Sequence, residues 1–128
     1  MAQALPQPSY GINPRVVIVD DNATFRHAAR MLLAARGYDV VGEASCAASA
    51  LDAVERHAPQ AVLLDIRLGH DDGFAVCGLL RRSRPELAVV LASVDEPDPE
   101  RFSRCGARGF VRKSRLPKID FEEFWPRS

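Results

Sequence analysis

Five short apolar runs recur along the chain, separated by longer stretches whose apolar residues fall every three or four positions. The first run, RVVIVDD (Arg15–Asp21), is β-branched and continuous rather than alternating, the pattern of a strand buried on both faces. Asn22 then suits an N-cap. The stretch after it, ATFRHAARMLLAARG, places Phe25, Ala28, Ala29, Leu32 and Arg36 on one helical face, with Gly37 as the stop. YDVVG predicts a short second strand. Ser45 is placed to cap a second helix from Cys46 to about Ala58, with Ala47, Ala50, Leu51 and Val54 inward and Pro59 beyond its end. AVLLD (Ala61–Asp65) predicts the third strand, and IRLGHDDG reads as a loop of turn-forming residues. Phe74 to about Ser83 predicts a third helix with Phe74, Cys77 and Leu80 as its stripe, ended by Pro85. LAVVLAS (Leu87–Ser93) is the fourth strand, VDEPDP an acidic loop broken by proline, and ERFSRC long enough only for a short helix. GFVRK (Gly109–Lys113) is the fifth strand. The tail carries Ile119, Phe121, Phe124 and Trp125 and predicts a brief last helix from about residue 117.

Strands that alternate with helices and stay apolar throughout call for a parallel sheet covered on both faces. Five such units in 128 residues predict an α/β, flavodoxin-like (βα)5 fold: a doubly wound, five-stranded parallel sheet of order 2-1-3-4-5 with shortened fourth and fifth helices. Residues 1–14, MAQALPQPSYGINP, read as a loose leader without the basic start or apolar core of a signal peptide, and residues 15–128 as one domain.

Composition narrows the function classes. The chain is 47% hydrophobic and 27% charged, with 17 basic against 17 acidic residues, so no bulk field draws it to nucleic acid or an anionic membrane. No apolar run approaches the ~20 residues that span a bilayer. Cys46, Cys77 and Cys105 match neither a disulfide framework nor a CxxC metal site, and the expectation is buried or half-buried thiols in a reducing cytoplasm. All basic residues other than Lys113 and Lys118 are arginines.

Ligands of open parallel sheets bind beyond the carboxyl ends of the strands. There the first strand offers Asp20 and Asp21, the third Asp65, the fourth Ser93 and the fifth Lys113. Carboxylates a few ångströms apart raise one another's pKa, and a hard dication relieves the repulsion; Mg²⁺ suits a few carboxylates with retained waters. A hydroxyl and an ammonium beside them complete a site for a phosphoryl group, with a carboxylate as nucleophile. Each residue also has a plainer role. Asp20 and Asp21 suit helix capping, Asp65 a turn, and Ser93 alone signifies nothing. His70, Asp71 and Asp72 are adjacent and read as a solvated loop rather than a second metal site. His27 and His57 read as helix-surface residues, Arg81, Arg82 and Arg84 as the solvated end of the third helix, and Phe121, Phe124 and Trp125 as a tail packed on the core.

In order and spacing, VVIVDDNATFR, VLLDIRLGHDDGF, VVLAS and GARGFVRK resemble the receiver domain of bacterial two-component response regulators, over roughly Arg15 to Lys113. The resemblance implies that Asp65 accepts a phosphoryl group from a phosphohistidine on a sensor histidine kinase or phosphotransfer protein. It implies Mg²⁺ (or Mn²⁺) held by Asp21, by Asp20 through water, by Asp65 and by the backbone carbonyl of Arg67. It makes Ser93 and Lys113 the phosphoryl-binding residues, and Phe110 the aromatic that turns inward when Ser93 moves. The chain departs from the pattern at Val94, where the family usually has a small residue, at Gly69 in place of proline, and at Ser114, where a proline commonly follows the lysine.

The resulting expectation is a stand-alone, cytoplasmic phospho-acceptor that signals through an unidentified downstream protein. It has no DNA-binding output, contacts neither nucleic acid nor membrane directly, and modifies itself without being an enzyme. The alternatives are a receiver-fold interaction protein that no longer switches, motivated by Val94 and the short fourth helix, and, more weakly, a Mg²⁺-dependent aspartyl-phosphate hydrolase. Such hydrolases typically carry an Asp-x-Asp pair and a cap domain, where this chain has adjacent aspartates.

Overall fold

A computed structural model describes residues 14–125, so all but the last residue of the expected leader lies outside the described residues. Five parallel strands form the main sheet: β1 (Arg15–Val19), β2 (Asp39–Ala44), β3 (Ala61–Asp65), β6 (Ala88–Ser93) and β7 (Gly109–Arg112). Their spatial order is β2-β1-β3-β6-β7, the doubly wound order read from the sequence. Helices α1 (Ala23–Ala35), α2 (Ala47–His57), α3 (Gly73–Ser83) and α4 (Pro99–Cys105) make the crossovers.

Strand residues alternate between two apolar layers. Val17, Val19, Val62, Leu64, Val89 and Leu91 pack with α2, α3 and Cys105 of α4. Val16, Ile18, Ala61, Leu63, Ala88, Val90 and Val111 pack with α1 and the tail. Because both faces are covered, the interiors of the central strands β1, β3 and β6 are wholly apolar, and polar residues stand only at their ends: Arg15 at the start of β1, Asp65 at the end of β3 and Ser93 at the end of β6. On edge strand β2 the register slips by one residue between Val16 and Val17, an irregularity that a sheet edge accommodates.

Several local expectations are corrected. In α1 the buried residues are Ala29 and Leu33, while Ala28 is exposed, so the inward face is rotated by about one position. In α2 the buried set is Ala50, Ala53 and Val54, and Leu51 is exposed; Cys46, rather than Ser45, is the N-cap. The IRLGHDDG segment holds a two-stranded antiparallel hairpin, β4 (Arg67–Leu68) with β5 (Asp71–Asp72). β7 stops at Arg112, leaving Lys113 just past its end. The last helix is not an α-helix but two 3₁₀ helices, η1 (Lys113–Lys118) and η2 (Phe121–Glu123), with Pro117 inside the first. A proline there removes a donor and suits a short 3₁₀ turn better than an extended α-helix.

What covers the sheet in place of a fifth α-helix is an aromatic cluster, as expected for the tail. Phe121 stacks on Trp125 with centroids 4.7 Å apart, and Tyr38 meets both rings edge-on. The Trp125 indole N–H donates to the Ala88 carbonyl at 3.1 Å, satisfying its polar end inside the core. The Arg36 guanidinium donates to the carbonyls of Pro117 and Ile119, tying the tail to the end of α1. Gly109 makes the docking of Phe124 possible, because a Cβ there would meet the Phe124 ring at 2.2 Å.

Candidate functional site

The end of each strand brings its polar residue to one edge of the sheet. Asp20 and Asp21 follow β1, Asp65 and Ser93 are the final residues of β3 and β6, and Lys113 follows β7. Asp20, Asp65 and Ser93 are the only buried polar or charged residues among those described, whereas Asp21 is exposed. One carboxylate oxygen from each of Asp20, Asp21 and Asp65 lies within 4.8 Å of the other two, the one such cluster among the described residues. Lys113 Nζ sits 2.7 Å from Asp20 Oδ2 and 3.4 Å from Asp65 Oδ2.

Local backbone donors fix the two buried carboxylates. Asn22 N–H donates to Asp20 Oδ1 at 2.9 Å and Arg67 N–H to Asp65 Oδ1 at 3.2 Å. Asp20 Oδ2 is buried without a hydrogen-bond partner, so its lysine neighbour acts on it as a charge rather than as an aligned donor. Behind Asp65 the chain turns so tightly that a Cβ on Gly73 would lie 2.3 Å from the Asp65 carbonyl oxygen. Only glycine admits that approach, and Gly73 N–H donates to the Ile66 carbonyl at 2.7 Å.

Burial pushes the Asp65 carboxyl up to about 6, and the Asp20 charge adds to the rise; Lys113 and the Arg67 N–H oppose it. A hard, all-oxygen donor set with mutual repulsion, one buried oxygen left without a hydrogen bond, and a hydroxyl nearby is a cation-binding arrangement. The residues present therefore fit a divalent ion such as Mg²⁺.

Beside Asp65 lies an open depression of ≈ 300 Å³, lined by Asp21, Asn22, Arg67, Gly69, Ser93, Val94, Asp95 and Lys113. Val94 is 69% exposed and forms part of its wall without filling it. Ser93 Oγ accepts from Asp95 N–H at 3.4 Å, and Gly69 turns with φ +64°, a left-handed conformation that glycine adopts without strain. Phe110 is half-buried on β7, packed against the α2–α3 layer and paired in register with Leu91 rather than lining the depression.

Several contacts escaped the sequence reading. Phe25, read only as part of one face of the first helix, puts its ring centroid 4.4 Å from Lys113 Nζ. Asp71 and Asp72 are not merely solvated: Asp71 Oδ2 accepts from Ala47 N–H at 2.8 Å at the start of α2, and Asp72 caps α3 through Phe74 N–H at 2.9 Å. Asp72 also pairs with Arg101 of α4, whose guanidinium lies 4.6 Å from the Phe74 ring centroid. The signal for Asp72 was available, since an Asp just before an apolar helical run is a cap; that for Asp71, a contact across the fold, was not. Arg81, read as solvated, is half-buried and donates to the Leu87 carbonyl at 3.2 Å.

The model of the response regulator receiver domain matches residues 16–119. The chain belongs to that family. The response regulator GacA of Pseudomonas aeruginosa is 33% identical over 102 residues, which cover 77% of this chain and 48% of GacA. The transcriptional regulatory protein PdtaR of Mycobacterium tuberculosis is 31% identical over 100 residues, covering 77% and 49% respectively. This receiver chain thus spans about half the length of those relatives. Among solved structures, the signal receiver domain of NarL from Mycobacterium tuberculosis superposes with a TM-score of 0.74 at 31% identity, over 83% of this chain and 91% of that one. A CheY-like receiver domain from Methanospirillum hungatei shares the fold with a TM-score of 0.76 at 22% identity, over 83% and 86%. No helix among the described residues is long and apolar enough to cross a membrane.

Proposed function

We propose that this receiver domain accepts a phosphoryl group on Asp65 from a phosphohistidine of a sensor kinase or phosphotransfer protein, and signals by contact with a downstream protein. The observation that carries this reading is the convergence of three carboxylates and one ammonium at the strand ends, with an open depression beside Asp65. With its carboxyl near 6, Asp65 is mostly ionised at neutral pH and available as a nucleophile. An Asp65 oxygen forms the new P–O bond as the donor's P–N bond breaks, and the bonding pair leaves on the imidazole nitrogen, which takes a proton.

Asp20, Asp21, Asp65 and the Arg67 carbonyl are the residues assigned to hold Mg²⁺, which when bound supplies a dication that neutralises phosphoryl oxygens and the carboxylates around it. Lys113 binds one phosphoryl oxygen and Ser93 another. The Ser93 hydroxyl approaches as the loop after β6 repacks, with Phe110 moving inward. Incubation with Mg²⁺ and a small acyl phosphate is expected to add one phosphoryl group per chain, detected as a mass increase. Asp65→Asn abolishes it, and a chain that gains none from any donor contradicts the reading.

One set of contacts favours the alternative of an interaction surface that no longer switches. α4 is only seven residues long and is tied to α3 by the Arg101–Asp72 pair and by Arg101 over Phe74. In that case partner binding is indifferent to Asp65→Asn.

A further inference from the structure

We infer that Phe25 is a positioning residue for Lys113, holding the ammonium at the acceptor carboxylate through the face of its ring. The inference rests on the phosphoryl-accepting reading above. Lys113 reaches the site on a flexible four-carbon stem from the first position after β7, where the chain enters a 3₁₀ turn rather than a regular element. Nothing in that turn fixes where its ammonium points. Its contacts do, and the ring shares the task with the two carboxylates: Lys113 Nζ lies 4.4 Å from the Phe25 centroid, 2.7 Å from Asp20 Oδ2 and 3.4 Å from Asp65 Oδ2.

Phe25 is itself held. Its N–H donates to the Asn22 cap oxygen at 3.0 Å, and its half-buried side chain packs on the layer that includes Ile18 and Leu33. One turn of helix therefore links the Asp20–Asp21 pair to the ring that seats their counter-charge. Aromatic faces attract cations without offering a lone pair, so the ring steadies the ammonium without competing with a phosphoryl oxygen for its protons. Once the carboxylates are engaged elsewhere during transfer, the ring is the partner Lys113 keeps.

The rate of phosphorylation by a small acyl phosphate, at saturating Mg²⁺, tests this with three changes at position 25. Replacing the ring with pentafluorophenyl by amber suppression keeps its shape and inverts the charge of its face. The expected result is a rate about threefold to tenfold lower. Phe25→Leu is expected to lose a similar factor, while Phe25→Tyr, which keeps the π face, stays within about twofold of the original. Circular dichroism establishes that each variant is folded. A pentafluorophenyl variant that reacts at the original rate overturns the inference, because a purely structural ring would give that result. An original chain that takes up no phosphoryl group overturns the underlying reading, and this inference with it.

Discussion

Asp65 is buried at the end of a strand, next to a second carboxylate, and its titration reports that environment. Its carboxyl is raised from 3.8 to about 6 in the folded chain, so the folded state holds the proton more tightly than the unfolded one. Stability from this group is full below pH 4 and is lost as pH rises through 6. Asp65→Asn removes the cost of the charge. In metal-free solution, urea unfolding of the two chains is expected to show a gap that opens between pH 4 and pH 6 and then levels, with the Asn variant more stable. Two pH units set its upper size at about 3 kcal/mol. Saturating Mg²⁺ narrows the gap, because a bound cation favours the ionised form. An absent gap would mean that water reaches Asp65 freely.

At the scale of elements, strands were more legible than helix faces. A doubly buried strand is apolar throughout, so AVLLD and VVIV announce themselves without a choice of face. α1 offers ATFRHAARMLLAA, where alanines lie on several sides and the apolar stripe admits more than one phase. The sheet selects Leu33, which is fully buried, over Ala28, which is exposed. Leu33→Ala is therefore expected to cost about 2–5 kcal/mol in chemical denaturation, and Ala28→Ser less than about 0.5 kcal/mol. Equal losses would restore the phase read from the sequence. The gathering of Asp20, Asp21, Asp65, Ser93 and Lys113 at one sheet edge was legible because each sits at or just past a strand end, which pattern alone locates; Phe110, inside β7, packs away from the depression. Phe25 over Lys113 and Asp71 under α2 were not, because both contacts join elements far apart in the chain and leave no local spacing to read.

For the molecule as a whole, the tail does what a fifth helix would do. A segment interrupted by Pro117 buries Leu116, Phe121 and Trp125 through rings and one indole hydrogen bond rather than a helical face. The aromatic residues alone predicted that the tail packs on the core, but not that it does so in 3₁₀ turns. A tail docked by so few side chains depends heavily on each. Trp125→Ala is expected to cost about 3–5 kcal/mol, with loss of the near-ultraviolet dichroism of the stacked rings. A smaller cost with that signal intact would show that Phe121 and Leu116 suffice.

Trp125 is also the chain's single tryptophan. It is anchored at Ala88, the first residue of β6, and Ser93 at the other end of that strand borders the acidic depression. Five residue steps of strand separate them by about 17 Å. Emission from this indole therefore reports whether the tail is docked while staying blind to ions and phosphoryl donors at the far edge. Folding can then be followed optically in an unlabelled sample without interference from site chemistry: a red shift marks unfolding, and addition of Mg²⁺ or acyl phosphate leaves the spectrum unchanged.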